Sequence, residues 1–85
     1  MSWTLAVDSA ANKQWRRFPH KDRERIRLAL HEVEGNPFGG DLQKIKGEDF
    51  VWRRRVGSYR IKYELRVSEK LVYVFDIKRR GSHTY

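Results

Sequence analysis

Apolar positions recur at helical spacing in the first part of the chain and at every second residue in the last part. Trp3 to Val7 alternates and predicts a short strand. Asp8 or Ser9 stands where a cap is needed for a helix in which Ala11, Trp15 and Phe18 share one face, and Pro19 ends that helix. Ile26, Leu30 and Val33 repeat the spacing in a second helix, from about residue 20 to residue 34, which Gly35-Asn36-Pro37 stops. Phe38 to Asp41 continues as loop, with Leu42 and Ile45 anchoring the connection. From Phe50 the period becomes two, and residues 50–56, 59–67 and 71–78 predict strands rich in β-branched and aromatic side chains. The order β-α-α-β-β-β predicts an α+β fold, two N-terminal helices packed on a small, largely antiparallel four-stranded sheet. With no repeat, linker or low-complexity tract to divide it, the chain reads as a single domain over residues 1–85.

The hairpin carries the strongest local expectation. Gly57-Ser58 is a two-residue turn with glycine first, the type II′ pattern. Such a turn fixes the register, because opposed residues must carry numbers that sum to 115. Val56 then faces Tyr59, Trp52 faces Tyr63 and Phe50 faces Leu65, all on the core side. The other face opposes Arg55 to Arg60 and Arg53 to Lys62. Like charges directly opposed destabilise a hairpin. A bound anion that relieves this repulsion accounts for the arrangement better than a solvated face does. If Ser68-Glu69-Lys70 is a loop, Leu71, Tyr73, Phe75 and Ile77 face the core, Lys78 lies beside Arg60, Arg80 continues that face and Arg79 points the other way.

Composition narrows the chemistry. The 85 residues hold no cysteine, which removes disulfides and thiolate zinc sites, so the core must come from aliphatic and aromatic side chains. No two histidines stand at a metal-ligand spacing, and neither a metal nor another cofactor is expected. The N-terminus lacks the features of a signal peptide, and no apolar run approaches the roughly 20 residues of a membrane span, so the cytoplasm is the expected compartment. Nineteen Lys and Arg against eleven Asp and Glu leave a net charge of +8. Residues 41–85 carry twelve of those cations and six of the anions, and seven of the twelve are arginine. Arginine favours bidentate contact with phosphate, and an excess of this kind points to a polyanionic partner.

With these residues in view, the chain resembles the RelE/ParE superfamily of toxins, and within it the RelE-type mRNA interferases. The likeness rests on the order of elements, on Leu42-Gln-Lys-Ile-Lys-Gly47, on Trp52-Arg-Arg-Arg-Val-Gly-Ser-Tyr-Arg60, and on Phe75-Asp-Ile-Lys-Arg-Arg80 followed by Tyr85. The resemblance implies the toxin of a type II toxin–antitoxin system, an endoribonuclease that cuts mRNA, on the ribosome at its A site, and is silenced by a cognate antitoxin. It implies contact with operator DNA only through that antitoxin. Carried over by position, it implies catalytic roles for Arg53, Arg55, Arg60, Arg80 and Tyr85, with Arg79 as the lesser alternative to Arg80. Lys46, Arg54, Lys62, Lys78 and Arg79 are the further candidate RNA contacts.

Cleavage by attack of a 2′-hydroxyl on the adjacent phosphate has three needs. The hydroxyl must align with phosphorus, the phosphoryl oxygens must be neutralised, and the 5′-oxygen must receive a proton. Arg53, Arg55 and Arg60 suit the second need by electrostatic preorganisation. Arg80 suits the leaving oxygen, and Tyr85 suits stacking on a base or orienting the hydroxyl. Some relatives carry lysine where this chain has Arg53 and Arg55, and an arginine does not give up its proton. The base therefore stays unassigned. His83 has the right intrinsic pKa and Glu48 is the matching carboxylate, but their spacing does not align with the family pattern, and both also read as surface residues. His20 and His31 read as helix surface. Two other readings remain: a ParE-like gyrase inhibitor of the same fold without nuclease activity, and a non-catalytic RNA or ribosome binder.

Overall fold

Strand alternation at the centre of the sheet dictates the architecture. In β4 (Tyr59–Arg66), Tyr59, Ile61, Tyr63 and Leu65 are buried while the residues between them reach solvent. A strand so patterned needs an apolar layer on one face only. In the computed structural model, which describes residues 3–79, that layer is a pair of helices. Along the chain run β1 (Thr4–Val7), α1 (Ser9–Arg16), α2 (His20–Gly35), β2 (Leu42–Lys44), β3 (Val51–Val56), β4, a short 3-10 turn (Val67–Glu69) and β5 (Leu71–Arg79). The sheet has five strands in the order β1-β5-β4-β3-β2; β1 runs parallel to β5 and every other neighbour is antiparallel. The α+β class stands, with one strand more than expected. The added strand, β2, has only three residues, Leu-Gln-Lys, too short to show a period of its own.

Both helices form where the apolar spacing puts them, and α1 has a side-chain cap as well. The Asp8 side chain accepts a hydrogen bond from the Ala10 amide at the start of α1. Ala11 from α1 and Ile26, Ala29 and Val33 from α2 close the core against β4 and the inner residues Val72, Val74 and Ile77 of β5. Trp15 and Phe18 pack at its margin, the Trp15 indole donating to the Arg23 carbonyl and Phe18 lying against Tyr59. No helix among the described residues is long and apolar enough to cross a membrane.

The β3–β4 register is the expected one: Val56 opposes Tyr59, Arg55 opposes Arg60, Arg53 opposes Lys62 and Trp52 opposes Tyr63. Gly57 has a φ of +57° whereas Ser58 is not among the residues with positive φ, which distinguishes a type II′ turn from type I′. Two expectations fail. Phe50 is 59% exposed, not core; it precedes the first residue of β3 and lines a surface cavity with Leu65, Arg66 and Val67, to which neither α1 nor α2 contributes. In β5, Leu71, Tyr73 and Phe75 are not the core residues; Val72 and Val74 are. A bulge explains the change. Lys62 opposes Asp76 and Tyr63 opposes Val74, which leaves Phe75 as the extra residue and reverses the parity of the strand before it. Beyond the bulge Ile77 is buried and Lys78 opposes Arg60, as the sequence requires.

Candidate nucleic-acid interface

Because the helices cover one face of the sheet, the other face of β3, β4 and β5 is turned outward, and toward the hairpin turn its side chains are polar. The register arranges them in rows perpendicular to the strands. Nearest the hairpin turn, Arg55, Arg60 and Lys78 form a row of three cations on three adjacent strands. Neighbouring strands lie about 4.8 Å apart, so one extended phosphodiester can meet more than one of these side chains. The next row is Gln43, Arg53, Lys62 and Asp76, and the one after holds Val51, Glu64 and Tyr73. Positive charge therefore concentrates at the turn end of the face and falls away along the strands.

Partners for these cations are uneven. The Arg53 guanidinium donates to the Gln43 side-chain oxygen at 2.6 Å. Arg55 Nε lies 3.6 Å from Asp41 Oδ2, and the Arg55 amide donates to the Asp41 carbonyl at 2.9 Å. Lys62 Nζ is 4.0 Å from Asp76 Oδ2. Arg60 and Lys78 meet no acidic side chain within ion-pair distance among the described residues. Arg60 is the middle of its row and half-buried, so it stands between two cations with no carboxylate among the described residues to relieve it. Gln43 and Asp41, which orient Arg53 and Arg55, were not legible from sequence, because they come to the face only through β2 and the residue before it. Asp76 lies beyond the bulge, where the register that sets Lys78 opposite Arg60 also sets it opposite Lys62.

Arg54 is corrected. It was expected to contact RNA, but it is 6% exposed, opposite Ile61 on the inner face. Its guanidinium pairs with Glu32 of α2 and donates to the Gly39 carbonyl at 3.1 Å. The same alternation that turns Arg53 and Arg55 outward turns Arg54 inward. Lys46 and Glu48 are exposed in the loop between β2 and β3, off the strands that carry the rows. Arg79 opposes Tyr59 at the end of β5 and is exposed. Arg80, His83 and Tyr85 lie outside the described residues. No group of three or more His, Cys, Asp or Glu placed to hold a metal ion occurs among the described residues.

Ionisable groups bracket the face without joining its rows of cations. Tyr73 donates to Asp8 at 2.7 Å, a bond that raises the tyrosine pKa and lowers that of the carboxyl below 3.8. Under the turn end, the Tyr59 hydroxyl donates to Asp22 at 2.7 Å, and burial followed by that bond raises its pKa.

No protein-family model matches the chain. A curated protein named putative toxin RelE1, from Methanocaldococcus jannaschii, is 22% identical over 83 residues, spanning 94% of this chain and 92% of the relative. Among solved structures, the archaeal RelE-RelB complex from Pyrococcus horikoshii contains a chain that superposes with a TM-score of 0.85 at 22% identity, covering 96% of this chain and 99% of that one. The RelB-RelE antitoxin-toxin complex from Methanococcus jannaschii gives a TM-score of 0.75 at 26% identity, covering 91% and 92%. The intact E. coli RelBE toxin-antitoxin complex gives 0.80 at 24%, covering 94% and 99%. The chain is similar to RelE-type toxins in sequence and in fold over nearly its whole described length.

Proposed function

We propose that this RelE-like chain is the toxin of a type II toxin–antitoxin pair, and that it cuts mRNA on the ribosome by attack of a 2′-hydroxyl on the adjacent phosphate, without a metal ion. The observation that carries the reading is the row Arg55, Arg60 and Lys78 on the uncovered sheet face, with Arg53 in the next row. Arg60 stabilises charge that develops on the phosphoryl oxygens, because its guanidinium is already surrounded by like charge and gains most from an anion. Arg55 beside Arg60 and Arg53 in the next row, both on β3, hold the RNA strand, their orientation set by Asp41 and Gln43. By the resemblance, Arg80 serves the leaving oxygen and Tyr85 the base or the hydroxyl. A cognate antitoxin, of the kind named RelB in the similar complexes, keeps the basic face from RNA until it is removed.

Expression of the wild-type chain is expected to arrest growth and to produce new 5′ ends within translated mRNA. Arg60→Ala is expected to lower single-turnover cleavage about 100-fold, the scale for one preorganised donor, with folding preserved. Growth arrest with intact message and gyrase-linked DNA breaks would overturn the nuclease reading in favour of a gyrase inhibitor.

A further inference from the structure

β1 pairs with β5 only as far as Val74, so the edge of β5 beyond it is closed by α1. The Asp8 amide donates to the Val74 carbonyl at 2.8 Å, and the Ile77 amide donates to the Gln14 side-chain oxygen at 3.0 Å. These bonds lay α1 along the strand edge and bring Arg17, at its C-terminal cap, to the end of β5. A cavity of about 250 Å³ results, lined by Gln14, Arg17, Phe18, Ile77, Lys78 and Arg79. Its cations come from two elements, and Arg17, Lys78 and Arg79 are all exposed. Lys78 belongs at once to this cavity and to the outward row with Arg55 and Arg60, so the two basic surfaces are continuous around the sheet edge.

We infer that this notch is a second phosphate-binding site, which takes the backbone of the RNA strand one or more nucleotides away from the cut as it turns off the sheet face. The inference rests on the proposed nuclease reading for the identity of the strand, and on the shared Lys78 for its path. The planar forks of Arg17 and Arg79 fit phosphate and carboxylate alike. Phosphodiester is favoured because the notch continues, through Lys78, a row already spaced for one. The competing account is that the basic residues here only compensate the negative end of the α1 dipole, since Lys13 and Arg16 lie in its last turn. That account makes Arg16 and Arg17 equivalent. The notch does not, because Arg16 is absent from its lining.

The test uses 2′-O-methyl RNA, which binds without being cut, as a tetranucleotide and as a decanucleotide, with wild type, Arg17→Gln and Arg16→Gln. Fluorescence anisotropy across a salt series reads affinity and the log–log salt slope. For the decanucleotide, Arg17→Gln is expected to lose roughly tenfold in affinity and about 0.7 in slope. The tetranucleotide, too short to leave the sheet face, is expected to lose neither, and Arg16→Gln is expected to behave as wild type with both. Equal losses from the two substitutions, loss on both oligonucleotides alike, or no loss from Arg17→Gln would each overturn the notch, as would failure of the wild type to bind. An acidic peptide whose binding falls with Arg17→Gln while RNA binding does not would assign the site to a protein partner and overturn it too. Absence of cleavage by a wild type that shows the expected binding pattern would remove the nuclease reading and leave the notch standing.

Discussion

Arg53, Arg54 and Arg55 are consecutive and chemically identical, yet the strand gives them different work. Arg53 and Arg55 face solvent; Arg54 is an inner residue tied to Glu32 and the Gly39 carbonyl. Gly40, at φ +78°, runs so close that an added Cβ would sit 2.6 Å from the Arg54 guanidinium carbon. Arg54 thereby fixes the loop that delivers Asp41 to Arg55. Arg54→Ala is expected to lower stability by about 3 kcal/mol, measured by urea unfolding, because it strips a buried donor from two partners. If the loss is under about 1 kcal/mol, the clamp is ornamental. For the outward pair, permanent charge is what the proposed mechanism uses. The Arg53→Lys, Arg55→Lys double variant is therefore expected to stay within roughly tenfold of wild-type cleavage, whereas the double Gln variant falls much further and loses salt sensitivity. Near-wild-type cleavage by the Gln form would remove both residues from the mechanism. The inward turn of Arg54 was legible: the hairpin register pairs it with Ile61, and only its charge argued for the outside. Its anion was not legible, because Glu32 lies a helix away and reads as an exposed position.

Among the elements, β4 was the most legible and β5 the least. β4 follows a turn whose type is written in Gly57, and its alternation runs unbroken through Leu65. β5 opens on Leu-Val-Tyr-Val-Phe, a run in which every residue is aliphatic or aromatic, so the sequence offers no charged side to choose between parities. The bulge at Phe75 then decides. The cation row survives the misreading because Lys78 is beyond the bulge. Burial of β4 has a further consequence. The Tyr63 hydroxyl donates to the Pro37 carbonyl at 2.6 Å, and burial pushes its pKa from 10.0 up to about 12. A group whose pKa is raised on folding supports the native state fully below its unfolded value and loses that support as pH climbs toward the folded one. Stability is thus expected to fall from pH 10 upward, with Tyr59 and Tyr73, also raised, adding to the slope. Tyr63→Phe is expected to cost about 1 kcal/mol at neutral pH and to flatten that alkaline limb. Urea midpoints measured from pH 7 to pH 11 that fall equally in both proteins would show that Tyr63 is not the titrating group.

At the scale of the whole molecule, the net charge of +8 is distributed against the interest of the free fold. The helix-side acids are engaged locally, Glu24 by Arg27, Glu32 by Arg54 and Asp22 by Tyr59, while Arg60 stands between Arg55 and Lys78 with no acid of its own among the described residues. Opposed like charges on a sheet cost roughly 0.2–1 kcal/mol per pair. Relieving them is therefore expected to stabilise the protein while it weakens the proposed activity. Arg60→Gln keeps the half-buried stem and removes the charge, and it is expected to raise the melting temperature by about 1–5 °C in low salt. Moderate salt screens the wild-type repulsion, so the gap between the two proteins is expected to narrow as ionic strength rises. A non-cleavable RNA is expected to reverse the order, because it binds the native wild type more tightly and stabilises it by mass action. Scanning calorimetry of both proteins, at two ionic strengths and with and without 2′-O-methyl RNA, separates these terms. A melting temperature for Arg60→Gln below that of the wild type in low salt without RNA would mean that the row is not under electrostatic strain, and that its cations are satisfied within the fold rather than waiting for an anion.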